Sequence, residues 1–265
     1  MPHIGLIIIG DEILSGKRQD KHLPKVIELL KARGLALAWA RYLGDERAQI
    51  TAALKDAFAS GDIVFSCGGI GATPDDHTRQ CAAAALGLPL VLHPSAEALI
   101  RERMHDLAAE QGLPYLPERA DNQHRLNMGM FPQGATLIAN PYNKIPGFSV
   151  ADVHFVPGFT VMAHPMIESL LDTRYRALQG SQVLAERSVI VMGGMEATLT
   201  PLMEDIEARF AGIKVFSLPS VDHPQWGRHI ELGVKGPPAD TLPAFAALLA
   251  GLRLCEVQLG PEMVR

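Results

Sequence analysis

Three times in its first eighty residues this chain runs through an apolar stretch, breaks at glycine and turns acidic, and that repetition limits the fold more than any other feature. Ile4-Gly5-Leu6-Ile7-Ile8-Ile9 ends at Gly10-Asp11-Glu12-Ile13-Leu14-Ser15-Gly16. Residues 35–43 end at Gly44-Asp45-Glu46-Arg47, and Ile63-Val64-Phe65 ends at Ser66-Cys67-Gly68-Gly69-Ile70-Gly71-Ala72-Thr73-Pro74-Asp75-Asp76-His77-Thr78. A continuous apolar run suits a strand covered on both faces, as in a parallel sheet. Between the runs, Val26, Ile27, Leu29 and Leu30 recur at helical spacing before Gly34, and Ile50, Leu54 and Phe58 do so within 48–59. A third helix is expected over 76–86, its start marked by Pro74 and the two aspartates. Strand, helix, strand, helix, strand, helix predicts an α/β fold with a doubly wound, mostly parallel sheet.

Ligands of open α/β sheets bind outside the carboxyl ends of the strands. Gly68, Gly69 and Gly71 fall at such an end. Glycine accepts positive φ and lets a ligand reach the main chain, so successive N–H groups can converge on an anion. The carboxylates of Asp75 and Asp76 would repel that anion unless a divalent cation lay between them, which points to a metal-bridged phosphate site. Asp11, Glu12 and Asp45 are expected on the same rim. The plainer alternatives are solvated turns for Asp11 and Glu12 and a helix N-cap for Asp45.

Further along, 90–92 reads as a short strand, 95–111 as a long helix and 112–120 as a loop broken by Gly112, Pro114 and Pro117. His124-Arg125 after that loop is either a phosphate clamp or exposed polar surface. Residues 135–139 and 153–156 read as strands joined by a turn-rich connection, 140–148, and 160–174 as a helix. Gly158 follows the second of these strands, where backbone can approach a ligand or simply turn. A linker is expected at Gly180-Ser181, separating a domain of residues 1–178 from a small α+β domain of 181–265 with an antiparallel pair. In the latter, Gly193-Gly194-Met195-Glu196 is a weak copy of a phosphate turn. His223, Trp226 and His229 do not have metal-ligand spacing.

Several function classes are excluded. The chain has 24 Lys and Arg against 29 Asp and Glu, so no basic field favours nucleic acid. No apolar stretch is long enough to span a bilayer, and the chain starts directly on a strand without a secretory signal, so a cytoplasmic protein is expected. Cys67, Cys81 and Cys255 lack metal-ligand spacing, and Cys67 reads as a buried strand end rather than a nucleophile. The P-loop pattern, the G-x-S-x-G elbow and the G-x-G-x-x-G dinucleotide fingerprint are all absent.

The stretches 10–16, Gly44-Asp45, 68–78 and Pro157-Gly158 resemble the motifs of the competence/damage-inducible protein A family, whose N-terminal domain has the molybdopterin-binding (molybdenum-cofactor biosynthesis) fold. The resemblance covers essentially the whole chain. It implies that Gly68, Gly69 and Gly71 cradle phosphate, that Asp76 is the key acidic residue with Asp45 as partner and Asp75 as fallback, and that Asp11 or Glu12 is a further member. Asp76, Asp45 and Asp11 would hold a divalent metal, Mg²⁺, Mn²⁺ or Co²⁺, while Gly10, Glu12, Thr73, Thr78 and Gly158 would contact substrate or support the loop. The chain departs from the family pattern at Ala72, at Phe159-Thr160 and at Arg18-Gln19-Asp20-Lys21-His22. The implied activity is metal-dependent hydrolysis of a nucleotide pyrophosphate such as ADP-ribose. The alternatives are a molybdopterin-binding protein or molybdopterin adenylyltransferase, with molybdopterin as ligand, and a nucleotide-binding module without catalysis. A homodimer is expected from an apolar face on the small domain.

Overall fold

The computed structural model describes residues 2–180 and 184–264. The chain divides into two compact units, 1–179 and 180–265. Ser181, the second residue of the expected linker, lies outside the described residues.

The first unit begins with β1 (Ile4–Ile9), a one-turn helix α1 (Asp11–Leu14), α2 (His22–Lys31), β2 (Trp39–Leu43), α3 (Arg47–Ser60), β3 (Ile63–Cys67) and α4 (Thr78–Leu86). It continues through β4 (Leu90–Leu92), α5 (Pro94–Glu110), α6 (Ala120–Arg125), β5 (Met130–Pro132), β6 (Thr136–Ile138), β7 (Gly147–Val150), β8 (Val153–Val156) and α7 (Thr160–Asp172). Its main sheet has the order β2-β1-β3-β8-β7-β6. The first four strands run parallel, and β7 and β6 add antiparallel. The expected α/β architecture is therefore present.

Every residue of β1 is buried because the sheet is covered twice. Ile4, Leu6 and Ile8 enter a core with Val26, Leu29 and Leu30 of α2 and Ile167 and Leu171 of α7. Ile7 and Ile9 point to the other face, among Ile50 and Leu54 of α3 and the stacked rings of Phe148 and Phe155. Period-two side chains with apolar residues on both faces explain why the run shows no polar alternation.

Several boundaries differ from expectation. Strand β2 starts at Trp39 rather than 35, because Leu35 and Leu37 pack into the core before pairing begins at Gly5 and Trp39. Helix α4 starts at Thr78, not Asp76, because the Asp76 carboxylate turns back to accept hydrogen bonds from the Thr73 N–H and hydroxyl, 2.8 and 2.6 Å. The expected connection 140–148 contains the start of β7, which pairs with β8 across a two-residue turn at Ala151-Asp152. Four residues beside Pro146 are too few to show strand periodicity. Helix α6 follows directly on the expected loop, in a stretch for which no helix was expected, and β5 is three residues cut short by Pro132.

The second unit contains β9 (Ala185–Met192), α8 (Glu196–Arg209), β10 (Lys214–His223), β11 (Gly227–Gly236), α9 (Pro238–Leu252) and β12 (Gln258–Val264). Its antiparallel sheet has the order β10-β11-β9-β12, one strand more than the runs 187–192, 214–218 and 229–234 lead one to expect. The strand β12 escapes the sequence pattern because Gly260-Pro261 sits at a register shift between Leu259 and Glu262. Val189, Val191, Leu232 and Val234 meet Leu199, Ile206, Phe245 and Leu248 of the helices in the core. Among the described residues no helix is long and apolar enough to cross a membrane.

Candidate functional site

Gly68 and Gly69 continue β3 with φ of 107° and 69°, a left-handed path that turns the chain toward α4. A Cβ on Gly69 would run into the Thr78 hydroxyl, and one on Gly68 into the Ile9 carbonyl. The carbonyls of this bend are all held from the start of α4. The Thr78 hydroxyl donates to the Gly68 carbonyl at 3.0 Å, and the Thr78 N–H to that of Gly69 at 3.0 Å. The guanidinium of Arg79 donates to the carbonyls of Ile70 and Gly71. In a trans peptide the C=O and N–H point to opposite sides. Holding carbonyls 68 to 71 on the α4 side therefore turns the N–H groups of Gly69, Ile70, Gly71 and Ala72 the other way. Among the described residues these four N–H groups meet no protein acceptor.

Two acidic groups flank this nest. Asp11 and Asp45, brought together by the adjacent ends of β1 and β2, exchange hydrogen bonds: the Asp11 N–H donates to Asp45 Oδ2 at 2.9 Å and the Asp45 N–H to Asp11 Oδ1 at 3.2 Å. Asp45 is thus not the N-cap of α3, a position held by Glu46. Burial, followed by the charges of Asp11, Glu12 and Asp75, raises the Asp45 carboxyl above its ordinary range. Asp75 is exposed, and the Thr73 hydroxyl holds its carboxyl low. Among the described residues no three His, Cys, Asp or Glu side chains stand together as a ready metal cage.

A cavity of about 580 Å³ lies over these strand ends. Its lining includes Gly10, Glu12, Asp45, Gly68, Gly69, Gly71, Thr73, Asp75, Asp76 and Gly158. Of the remaining candidates, Asp11 and Thr78 stand behind the lining, Asp11 bonded to Asp45 and Thr78 fully buried under the bend. His124 and Arg125 do not form a phosphate clamp. The His124 ring bonds the Ala72 carbonyl at 2.8 Å, and Arg125 is spent on Asn122 and Asp121, so neither lines the cavity. Cys67 is buried, and burial pushes its thiol well above the ordinary range, which leaves it inert as a nucleophile.

A family model described as a probable molybdopterin binding domain matches residues 5–177. The chain belongs to that family. A CinA-like protein of Anaeromyxobacter sp. (strain Fw109-5) is 30% identical over 211 residues, 77% of this chain and 49% of its own length. A protein of Pyrobaculum calidifontis is 28% identical over 237 residues, 87% of each chain. The crystal structure of the protein CinA with unknown function from Thermoplasma acidophilum aligns with a TM-score of 0.54 at 24% identity, covering 64% of this chain and 97% of that one. The chain spans about half the length of the CinA-like relatives it matches. These likenesses agree with the resemblance read from the motifs.

The cavity of this molybdopterin-binding domain has features that sequence reasoning passed over. Arg79 follows the Asp-Asp-x-Thr motif directly and could have been found by asking what holds the glycine carbonyls. Arg18 also lines the cavity, with no ion pair among the described residues. An apolar part of the lining comprises Met128, Ile145, Pro146, Phe159 and Met162, and Phe159 is 60% exposed. His22 of α2 fixes this side by bonding the Gly158 carbonyl at 2.9 Å. Asn140 and Asn143 also line the cavity. Their amides are partly occupied by each other and by the Ile145 backbone.

Proposed function

We propose that this cavity binds a phosphorylated planar heterocycle and, with a divalent cation, hydrolyses a nucleotide pyrophosphate, an ADP-ribose-like compound being the leading substrate class. The observation that carries the reading is the run of four unpartnered N–H groups beside a carboxylate rim. The amides accept phosphoryl oxygens, and their pre-set direction stabilises charge that develops there without reorganisation. Phe159 and Met162 offer an apolar face to a base, and Arg18 offers a charge-assisted donor to a second phosphate.

The donor set suits a hard cation. Carboxylate oxygens are its preferred ligands, and the crowding of Asp11, Glu12 and Asp75 around Asp45 is the kind of repulsion a cation relieves. Asp45, Asp75 and Asp76 would hold it, with Asp11 fixing Asp45 through the reciprocal hydrogen bonds. When bound, the ion would neutralise phosphate charge and make water more acidic.

A second reading is a molybdopterin-phosphate binding protein or adenylyltransferase, and the family match favours it. It uses the same amide nest but places a pterin against Phe159. Incubating the purified protein with ADP-ribose and related diphosphates under Mg²⁺, Mn²⁺ or Co²⁺, and separately with molybdopterin and ATP, distinguishes the two by product. Release of AMP from ADP-ribose supports hydrolysis, adenylylated molybdopterin supports transfer, and tight binding without turnover leaves a binding module. A homodimer and a cytoplasmic location belong to the same proposal, checked by light scattering and cell fractionation.

A further inference from the structure

Arg79 is only 3% exposed, yet among the described residues no carboxylate lies within ion-pair distance of it. Two of its nitrogens are spent on the Ile70 and Gly71 carbonyls, and its Nε has no partner. A buried guanidinium offset only through space, by the charge of Asp76, is costly, so its retention calls for a charge it can serve. The two peptide units it grips are those that carry the N–H groups of Gly71 and Ala72. Thr78 does the same for the units that carry the N–H groups of Gly69 and Ile70.

We infer that Arg79 is a positioning residue that makes the bend an anion site in its own right, able to bind a phosphate or pyrophosphate group before any metal arrives. The inference rests on the reading of the cavity as a phosphate site and adds an order to it: anion on the amides first, cation between anion and carboxylates second. Arg79 does not touch the ligand. It polarises two amides through their carbonyls and lends the nest a positive charge that the carboxylate rim cannot supply. Burial lowers the guanidinium only to about 10, so the charge persists at neutral pH.

The test is calorimetric titration of the whole protein with inorganic pyrophosphate in excess EDTA, beside thermal melts of each variant. Wild type is expected to bind. Arg79→Lys, whose single ammonium cannot grip two carbonyls as a fork does, should bind about tenfold more weakly, and Arg79→Met about 100-fold. Thr78→Val should also weaken binding, and Thr78→Ser should restore it. If a nucleotide is turned over, the Arg79→Lys defect should appear mainly in KM. A folded Arg79→Met protein that binds pyrophosphate like wild type overturns the inference. Should Arg79→Met fail to fold, unchanged binding in Arg79→Lys and Thr78→Val overturns it instead. Failure of wild type to bind without metal overturns it too, while leaving the metal-dependent reading of the cavity intact. Metal-free binding with no cleavage of any nucleotide upholds the clamp and removes the hydrolase.

Discussion

The chain contains two glycine pairs that end a buried strand and precede a helix, and only one of them builds a site. After β3, Gly68-Gly69 has its carbonyls held by Thr78, Arg79 holds the next two, and a row of N–H groups is left toward a cavity. After β9, Gly193 also takes a left-handed φ of 76°, but a Cβ on Gly194 would meet the side chains of Leu199, Val191 and Val257. Helix α8 opens with Glu196-Ala197, and the Glu196 carboxylate accepts a hydrogen bond from the Ser217 hydroxyl at 2.6 Å. Among the described residues nothing at the start of α8 reaches back to the glycine carbonyls. The difference teaches that the glycines only permit the turn. The residues that open the next helix decide which way its peptide dipoles face.

The largest effect should come from breaking each turn in the same way. Gly69→Val places side-chain atoms in the Thr78 hydroxyl at a backbone angle that β-branched residues avoid, and should abolish pyrophosphate binding while costing about 2–4 kcal/mol. Gly193→Val meets open space, so only the backbone strain remains, about 1–2 kcal/mol, with ligand binding unchanged. Parallel urea melts and pyrophosphate titrations measure both. Equal losses of binding would refute the contrast.

Next comes the acidic partner. Asp76→Ala should lower metal-dependent cleavage of a nucleotide pyrophosphate by about 100-fold or more, with little change in Tm, because its carboxylate bonds only the exposed Thr73. Glu196→Ala, the residue that follows the second turn, should leave cleavage untouched. Full activity in Asp76→Ala would rule the hydrolase assignment out.

The contrast also shows what the residues could reveal in advance. Ile4–Ile9, 63–65 and the glycine-acid ends were legible because a doubly covered strand has to be apolar throughout and a phosphate turn has to contain glycine. The carboxylates Glu12, Asp45, Asp75 and Asp76 were legible as one rim because consecutive parallel strands deliver their ends to one edge. Arg79 was not, since a cation in the first turn of a helix ordinarily reads as solvated surface, and only the fold shows it turned under the bend. Phe159 was noticed as a departure from the family pattern, but its place on the cavity wall depends on how α7 leaves β8. Strands β5, β7 and β12 were invisible for a different reason: each is short or interrupted by proline, and gains its strand character from a neighbour's hydrogen bonds rather than from its own pattern.

Acid should act on the first unit through a group outside the glycine bend. His154, fully buried in β8, accepts a hydrogen bond from Ser149 at Nδ1 and donates from Nε2 to Tyr175, whose hydroxyl donates on to Asp152. Burial, with the charge of Arg174, lowers it from its ordinary 6.5 to about 4. The folded protein thus refuses a proton that the unfolded chain accepts. Stability is complete above pH 6.5 and falls as the pH drops toward 4, by roughly 3 kcal/mol from this residue. Urea midpoints of wild type and His154→Gln between pH 7 and 4 measure the effect, and parallel pH dependences in the two proteins would refute it.

The smallest expected effect asks whether the rim beside the first turn, which has no counterpart at the second, is held under strain for a ligand. Asp45 titrates above the ordinary carboxylate range, so at neutral pH its charge opposes folding, chiefly through burial and then through its acidic neighbours. Asp45→Asn keeps an oxygen to accept the Asp11 N–H and removes the charge. The variant should melt slightly higher than wild type at pH 7, by less than about 1 kcal/mol given the solvent around the group. That advantage should vanish as the pH falls below the ordinary carboxylate value, where wild-type Asp45 is itself protonated. The same variant should lose the metal response: added Mn²⁺ should raise the Tm of wild type and not that of Asp45→Asn. An Asp45→Asn protein that melts lower than wild type at pH 7 and still gains from Mn²⁺ would mean that the aspartate serves the turn alone. The first turn would then differ from the second by its amides but not by its cation.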